Sequence, residues 1–214
     1  YRVCFTPEAF LSLIGAFSSM FSARAVLDGV SLSSRESLGQ QLAVPFLSLD
    51  DDGLHSDHIS ATPFDGEGTP TQKLTLIESG CLRNFHHSEA TARAFGVQPT
   101  GHAGLGAKVS VGPDWFVVGT TPGQDSGLDL NHNRETDTFV LIDDLSALHA
   151  GVKATQGSFS LPFDGWLVKG GERISVEAAT VAGDIRSLLT SILHLEPTQE
   201  VTHRGVSPHV WVEG

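Results

Sequence analysis

The chain has 214 residues, 40% hydrophobic and 18% charged, with a formal net charge of −12 at pH 7. This is enough for one large domain or two small ones with a real core, and it excludes a disordered polar chain. The acidic balance, without any run of Lys or Arg, argues against direct nucleic-acid binding.

No apolar run approaches a membrane span and no signal peptide is visible. Cys4 and Cys81 are too few for a disulfide framework. They read as reduced thiols of a cytoplasmic protein.

Tyr1-Arg2-Val3-Cys4-Phe5 reads as a strand, and a chain that opens inside an element suggests a missing N-terminal part. Thr6-Pro7-Glu8 is a strong helix start, with Thr6 as cap, Pro7 at the first helical position and Glu8 at the positive end. Phe10, Leu13, Ile14, Phe17 and Phe21 then fall on one stripe of a helix expected to reach Phe21. A second helix is expected from Ser34 and a short strand over 44–49. Residues 50–68 form a polar loop rich in Asp, His and Gly, of a length that is usually functional or mobile.

Residues 71–81 alternate, and with Ser79-Gly80 as turn they predict a hairpin returning over 81–85. Ser88 caps a short helix that Gly96 ends. Gly101, Gly104 and Gly106 suit a close-packed loop, and Gly112-Pro113-Asp114 turns between strands at 109–111 and 115–119. Residues 123–137 form a second polar loop, with His132 as a turn residue. A strand follows from Phe139. Asp143 and Asp144 stand where a helix cap would, and 145–150 form a helical turn released by Gly151. Strands are expected at 158–163 and 166–168, then at 174–181 after the Gly170-Gly171 turn. Residues 182–195 read as a helix stopped by Pro197, and 209–212 as a last strand. The fold class expected is α+β, mostly antiparallel sheet with a few flanking helices.

His55, Asp57 and His58, close behind three aspartates, could gather a divalent cation; the same stretch also reads as a solvated acidic loop. His86-His87 is a poor metal pair, because neighbours on a strand point to opposite faces; one packed and one exposed ring is the expectation. His149 follows Asp143 and Asp144 at near-helical spacing, so a carboxylate could orient and charge it, or it could meet the last carbonyls of a helix. There is no G-x-S-x-G elbow, and the lysine after Gly101 to Gly106 is displaced from its phosphate-loop position. Trp115, Trp166 and Trp211 read as core or interface residues.

Several phrases occur in a telling order: FTPEAFLSLIGAF, PFDGEGTPTQKLTLIESGCLRNFHHSEATARAFG, TGHAGLG, LIDDLSALHAGV, GSFSL with a WLVKGG hairpin, and TVAGDIRSLLTSI. Over essentially its whole length the chain resembles the PmbA/TldD family, and within it the PmbA (TldE) branch. The resemblance implies that residues 1–214 are the C-terminal domain of a two-part protein whose N-terminal domain is absent from this chain. TldD-like members carry an H-E-x-x-x-H helix, in which two histidines and a glutamate hold zinc and activate water. Gly15, Ala16 and Met20 stand at those three positions here. The resemblance therefore implies no catalytic residue and no zinc in this subunit, with zinc expected only in a TldD-like partner.

The implied function is a non-catalytic subunit of a TldD/TldE-type metallopeptidase complex that processes or degrades small or unfolded peptides. The family's link to DNA gyrase is read as indirect. Two other readings remain: a homo-oligomeric module holding peptides by edge-strand pairing without hydrolysis, and a metal-dependent enzyme built on the 50–58 loop. The apolar stripe predicts a dimer, hetero- or homomeric, with an interior cavity bordered by the opening helix and by the loop near His149.

Overall fold

A computed structural model of the chain describes residues 2–127 and 138–214; Tyr1 and His132, with the rest of 128–137, lie outside the described residues. Strand β1 (Arg2–Phe5) leads into helix α1 (Pro7–Ala16), where the Thr6 hydroxyl accepts from the Ala9 N–H at 3.3 Å and Pro7 sits in the first turn, as expected. The helix is shorter than expected: it ends at Ala16, and a tighter 3-10 turn, Ser18–Phe21, carries the stripe onward. Gly15, Ser18 and Ser19 are poor helix formers, and the serines compete for backbone partners.

Then come α2 (Ala23–Leu27), β2 (Leu47–Asp52), β3 (Lys73–Glu78), β4 (Cys81–Leu82), α3 (Glu89–Phe95), β5 (Ala103–Gly104), β6 (Ser110–Val111), β7 (Phe116–Thr120) and β8 (Thr138–Leu145). They are followed by α4 (Leu148–Gly151), β9 (Val152–Lys153), β10 (Ser158–Lys169), β11 (Glu172–Asp184), α5 (Ile185–Thr190), β12 (Ile192–Val201) and β13 (Gly205–Glu213).

The main sheet runs β11-β10-β8-β1-β13-β7-β2-β3-β4, with β12 also on β13 and β9 on β10; β5 and β6 form a separate pair. Most pairs are antiparallel, but β1 runs parallel to β8 and β13 parallel to β7. The sheet is therefore mostly antiparallel, as expected, but mixed and not purely so: alternation reveals a strand but not the direction of its neighbour. The hairpin at 73–82 turns on Ser79 and Gly80, both at positive φ (52° and 71°), the backbone that a two-residue turn between twisted strands requires.

Four expectations are corrected. Residues 182–195 are not one helix; α5 is a short segment that the Asp184 carboxylate caps, and β11 and β12 take the rest. Pro197 sits inside β12, which pairs with β13 and breaks register between Leu195 and Gln199, a place where a missing N–H is tolerated. Asp143 and Asp144 do not cap a helix but continue β8, while residues 158–169 form one strand with an irregularity at Asp164/Gly165. The helix expected from Ser34 reduces to a 3-10 turn, Arg35–Ser37.

The core lies between α1 and the sheet. Phe10, Leu13, Ile14, Phe17, Met20 and Phe21 are all at most 2% exposed. Phe17 packs edge-on against Phe159 and Phe21 against Phe116, each with ring centroids 6.2 Å apart. The stripe is thus satisfied within the chain and presents no apolar face to a partner. Among the described residues no helix is long and apolar enough to cross a membrane.

Candidate functional site

Strand β2 extends three residues beyond the expected apolar run, and its period decides which aspartate is buried. Leu47, Leu49 and Asp51 face inward; Ser48, Asp50 and Asp52 face outward. Asp50 takes the outward role, accepting from the Thr75 hydroxyl at 2.7 Å and pairing with Lys73 at 2.8 Å. Asp51 is fully buried. Its Oδ1 accepts from the Trp115 N–H at 2.7 Å, and both oxygens lie within 3.2 Å of the Asp114 N–H. The segment joining β6 to β7 therefore closes over the carboxylate with its backbone.

Two imidazoles converge on the same carboxylate. His86 Nε2 lies 2.8 Å and His102 Nε2 3.6 Å from Asp51 Oδ2, and the two rings are 4.5 Å apart. The 2.8 Å approach is close enough for an ion pair but lacks hydrogen-bond direction. Both ring nitrogens of His86 and Nε2 of His102 have no hydrogen-bond partner among the described residues.

The backbone fixes each ring. His86 donates its N–H to the Phe21 carbonyl and accepts from the Ala23 N–H, tying it to the turn after α1. His102 follows Gly101, whose φ is 74° and where a Cβ would stand 2.4 Å from the Pro70 carbonyl oxygen. That approach requires glycine. His102 Nδ1 is 3.0 Å from the Thr100 hydroxyl.

Burial alone would push the Asp51 carboxyl up, but His86, then His102 and the Trp115 N–H, hold it below the usual carboxylate range. Burial, followed by the neighbouring His86, lowers His102 to about 4. His87 is lowered to about 4 by the same two causes. It is not exposed, as one of the pair was expected to be: both rings are buried, on different sides of the backbone. His87 packs edge-on against Phe95 and meets the Thr91 hydroxyl at 3.3 Å. Asp114 is raised, first by burial and then by Asp51.

The other side of Asp114 and Trp115 lines a pocket of about 400 Å³, shared with Leu11, Gly15, His58 and Arg204. Gly15 is open toward it: a Cβ there would meet nothing within 4 Å. Ala16 beside it is half-buried. Arg204 Nε bonds Glu8 of α1 at 2.8 Å.

His58 stacks on Trp115 with centroids 4.5 Å apart and turns Nδ1 toward the Gly53 carbonyl. His55 stacks more distantly on the same indole, 3.7 Å from Asp57. Asp57 and His58 thus line the pocket, while His55 stacks on the same indole without lining it. Among the described residues only Asp51, His86 and His102 bring three ligating side chains within 4.8 Å of one another.

Asp143, Asp144 and His149 are not brought together. The Asp143 carboxylate accepts from Trp166 Nε1 at 2.6 Å, while Asp144 and His149 are exposed. Sequence reasoning missed Asp51 and His102. The alternation Leu47, Leu49, Asp51 carried a signal for the first, and a histidine directly after a constrained glycine a weaker one for the second.

Residues 1–214 match the family described as PmbA/TldA metallopeptidase C-terminal domain. The chain is 27% identical to a protein named metalloprotease PmbA homolog of Haemophilus influenzae, over 85% of this chain and 38% of that one. It is also 27% identical to an uncharacterized protein of Methanocaldococcus jannaschii, over 100% of this chain and 50% of the other. A crystal structure titled as a proposed modulator of a DNA gyrase from Thermotoga maritima superposes with a TM-score of 0.85 at 33% identity, covering 100% of this chain and 48% of that chain. TldE from Thermococcus kodakarensis shares the fold, with a TM-score of 0.82 at 23% identity over 99% of this chain and 48% of its own. The chain thus spans half the length, or less, of these proteins.

Proposed function

The chain belongs to the PmbA/TldA metallopeptidase family, of which it matches the C-terminal domain, and from that premise we propose that it is a PmbA/TldE-like subunit of a TldD/TldE-type metallopeptidase complex. The complex would act in the cytoplasm on small or unfolded peptides, and this subunit would guide peptide without itself cleaving it. One observation carries the reading. At the three positions that the resemblance equates with the zinc motif, the chain offers Gly15, Ala16 and a core-buried Met20. None supplies an imidazole or a carboxylate, so these residues do not fit a catalytic zinc. Gly15 instead leaves the pocket wall open.

The pocket suits a peptide. Trp115 and Leu11 offer apolar surface, while Arg204, Asp57 and His58 offer polar contacts. The catalytic zinc and its activated water are expected from a TldD-like partner.

A second reading rests on β11. Among the described residues this thirteen-residue strand ends the sheet, pairs only with β10 and is largely exposed. It could bind peptides, or a second copy of the chain, by strand addition without hydrolysis.

The full-length protein alone is expected to leave an unstructured fluorogenic peptide intact, and chelator-sensitive cleavage is expected once a TldD-like subunit is added. Chelator-sensitive hydrolysis by the pure protein alone would overturn the proposal. Failure to co-elute with such a subunit, with peptide still bound, would favour the strand-addition reading.

A further inference from the structure

We propose that Asp51, His86 and His102 bind a divalent transition-metal ion of the zinc class, a site whose ligands all lie off helix α1. The three side chains are buried, and their ligating atoms lie within 4.8 Å of one another. Tetrahedral zinc with N and O ligands at about 2.0–2.1 Å needs donor atoms about 3.3 Å apart. The distances from Asp51 Oδ2, 2.8 Å to His86 Nε2 and 3.6 Å to His102 Nε2, bracket that value. Two imidazoles and one carboxylate form a donor set that suits zinc and leaves the fourth position to water.

The unpartnered ring nitrogens of His86 and His102 argue for a cation independently of the spacing. The Thr100 hydroxyl accepts from the His87 N–H at 2.7 Å and lies 3.0 Å from His102 Nδ1 and 3.3 Å from the His87 carbonyl. The contact with Nδ1 leaves Nε2 as the ring nitrogen turned to the Asp51 carboxylate. Nε2 of His102 faces the Asp51 carboxylate at 3.6 Å, with no hydrogen-bond partner among the described residues. A buried polar nitrogen left unpaired beside a carboxylate is costly, and a cation held between the two would satisfy both. His86 Nε2 meets the same oxygen without hydrogen-bond direction.

The surroundings resemble the supporting shell of a metal site. Backbone N–H groups of Asp114 and Trp115 orient the carboxylate, Thr100 orients one ring, and strand-like pairing holds the backbone of His86.

The test uses full-length protein stripped with chelator, exchanged into metal-free buffer and titrated with Co²⁺ and then Zn²⁺. One equivalent of Co²⁺ is expected to bind with the intense visible absorption of a four-coordinate ion, and Zn²⁺ to displace it. Thr100→Val, which removes the ring anchor together with the acceptor of the His87 N–H, is expected to weaken binding by about 10–100-fold. His102→Gln is expected to weaken it by more than that, and His149→Ala, on the surface, to leave it unchanged. Absorption that survives in folded His102→Gln overturns the site. If that variant does not fold, the stripped wild-type protein decides, and the absence of saturable Co²⁺ binding overturns the proposal. Peptide cleavage plays no part in the readout, so failure here is separable from failure of the proposed function.

Discussion

Phe17→Ser is expected to unfold the domain and not to release a folded monomer. The ring is 0% exposed and packs against Phe159 across the layer between α1 and the sheet. Removing a buried phenylalanine to alanine costs about 3–5 kcal/mol. Serine adds a hydroxyl that must be buried without a partner. Against a total stability of about 5–15 kcal/mol, that leaves little folded protein. Urea unfolding followed by circular dichroism measures the loss, and light scattering reports the assembly state. A soluble, folded monomer with an unchanged midpoint would return the stripe to the interface role that its sequence suggested. A dimer, if it forms, must use another surface.

Asp51→Ala is expected to be as costly for a different reason. The substitution leaves the N–H groups of Asp114 and Trp115 without that acceptor, and it removes the carboxylate that contacts both buried imidazoles. Breaking a buried charged cluster by deleting one partner costs about 3–5 kcal/mol. For a chain of this size that lowers the melting temperature by roughly 6–20 °C. Measured in excess chelator, the shift reports the carboxylate alone. A shift within experimental error would mean that the β6–β7 segment finds other acceptors and that Asp51 does not organise it.

The parts of the fold legible in sequence were those set by local chemistry. Thr6-Pro7 started α1, Ser79-Gly80 made the hairpin, and Ser88 and Gly96 bounded α3. What failed depended on distant partners. The apolar run over 185–195 suits a helix or a strand equally well; β13 beside it drew residues 192–201 into the sheet. The three consecutive aspartates read as the start of a polar loop, because nothing local says that one would meet two histidines from elsewhere in the chain. The adjacent His86 and His87 read as a poor metal pair, and in the fold their rings meet different partners, Asp51 for the one and Phe95 for the other, though both are buried. The useful partner of His86 was His102, which only the folded chain supplies. The fold class was legible because many weak signals agree, whereas the buried cluster needed three specific residues to meet.

The place of β1 between β8 and β13 fixes when this sheet can form. Arg2 pairs with Glu213, so partners some 200 residues apart share one ladder. At a synthesis rate of about 5–20 residues per second, β1 waits roughly 10–40 s for its second neighbour. Until then β1, β7 and β12 each lack the strand that joins them, and Phe5 and Val210 cannot enter a common core. Closure of the sheet thus waits for β13, made some 200 residues after β1. A stalled nascent chain stopped before residue 205 is expected to be digested by protease throughout, whereas resistance short of that point would show that the two halves of the sheet stand without their shared strand.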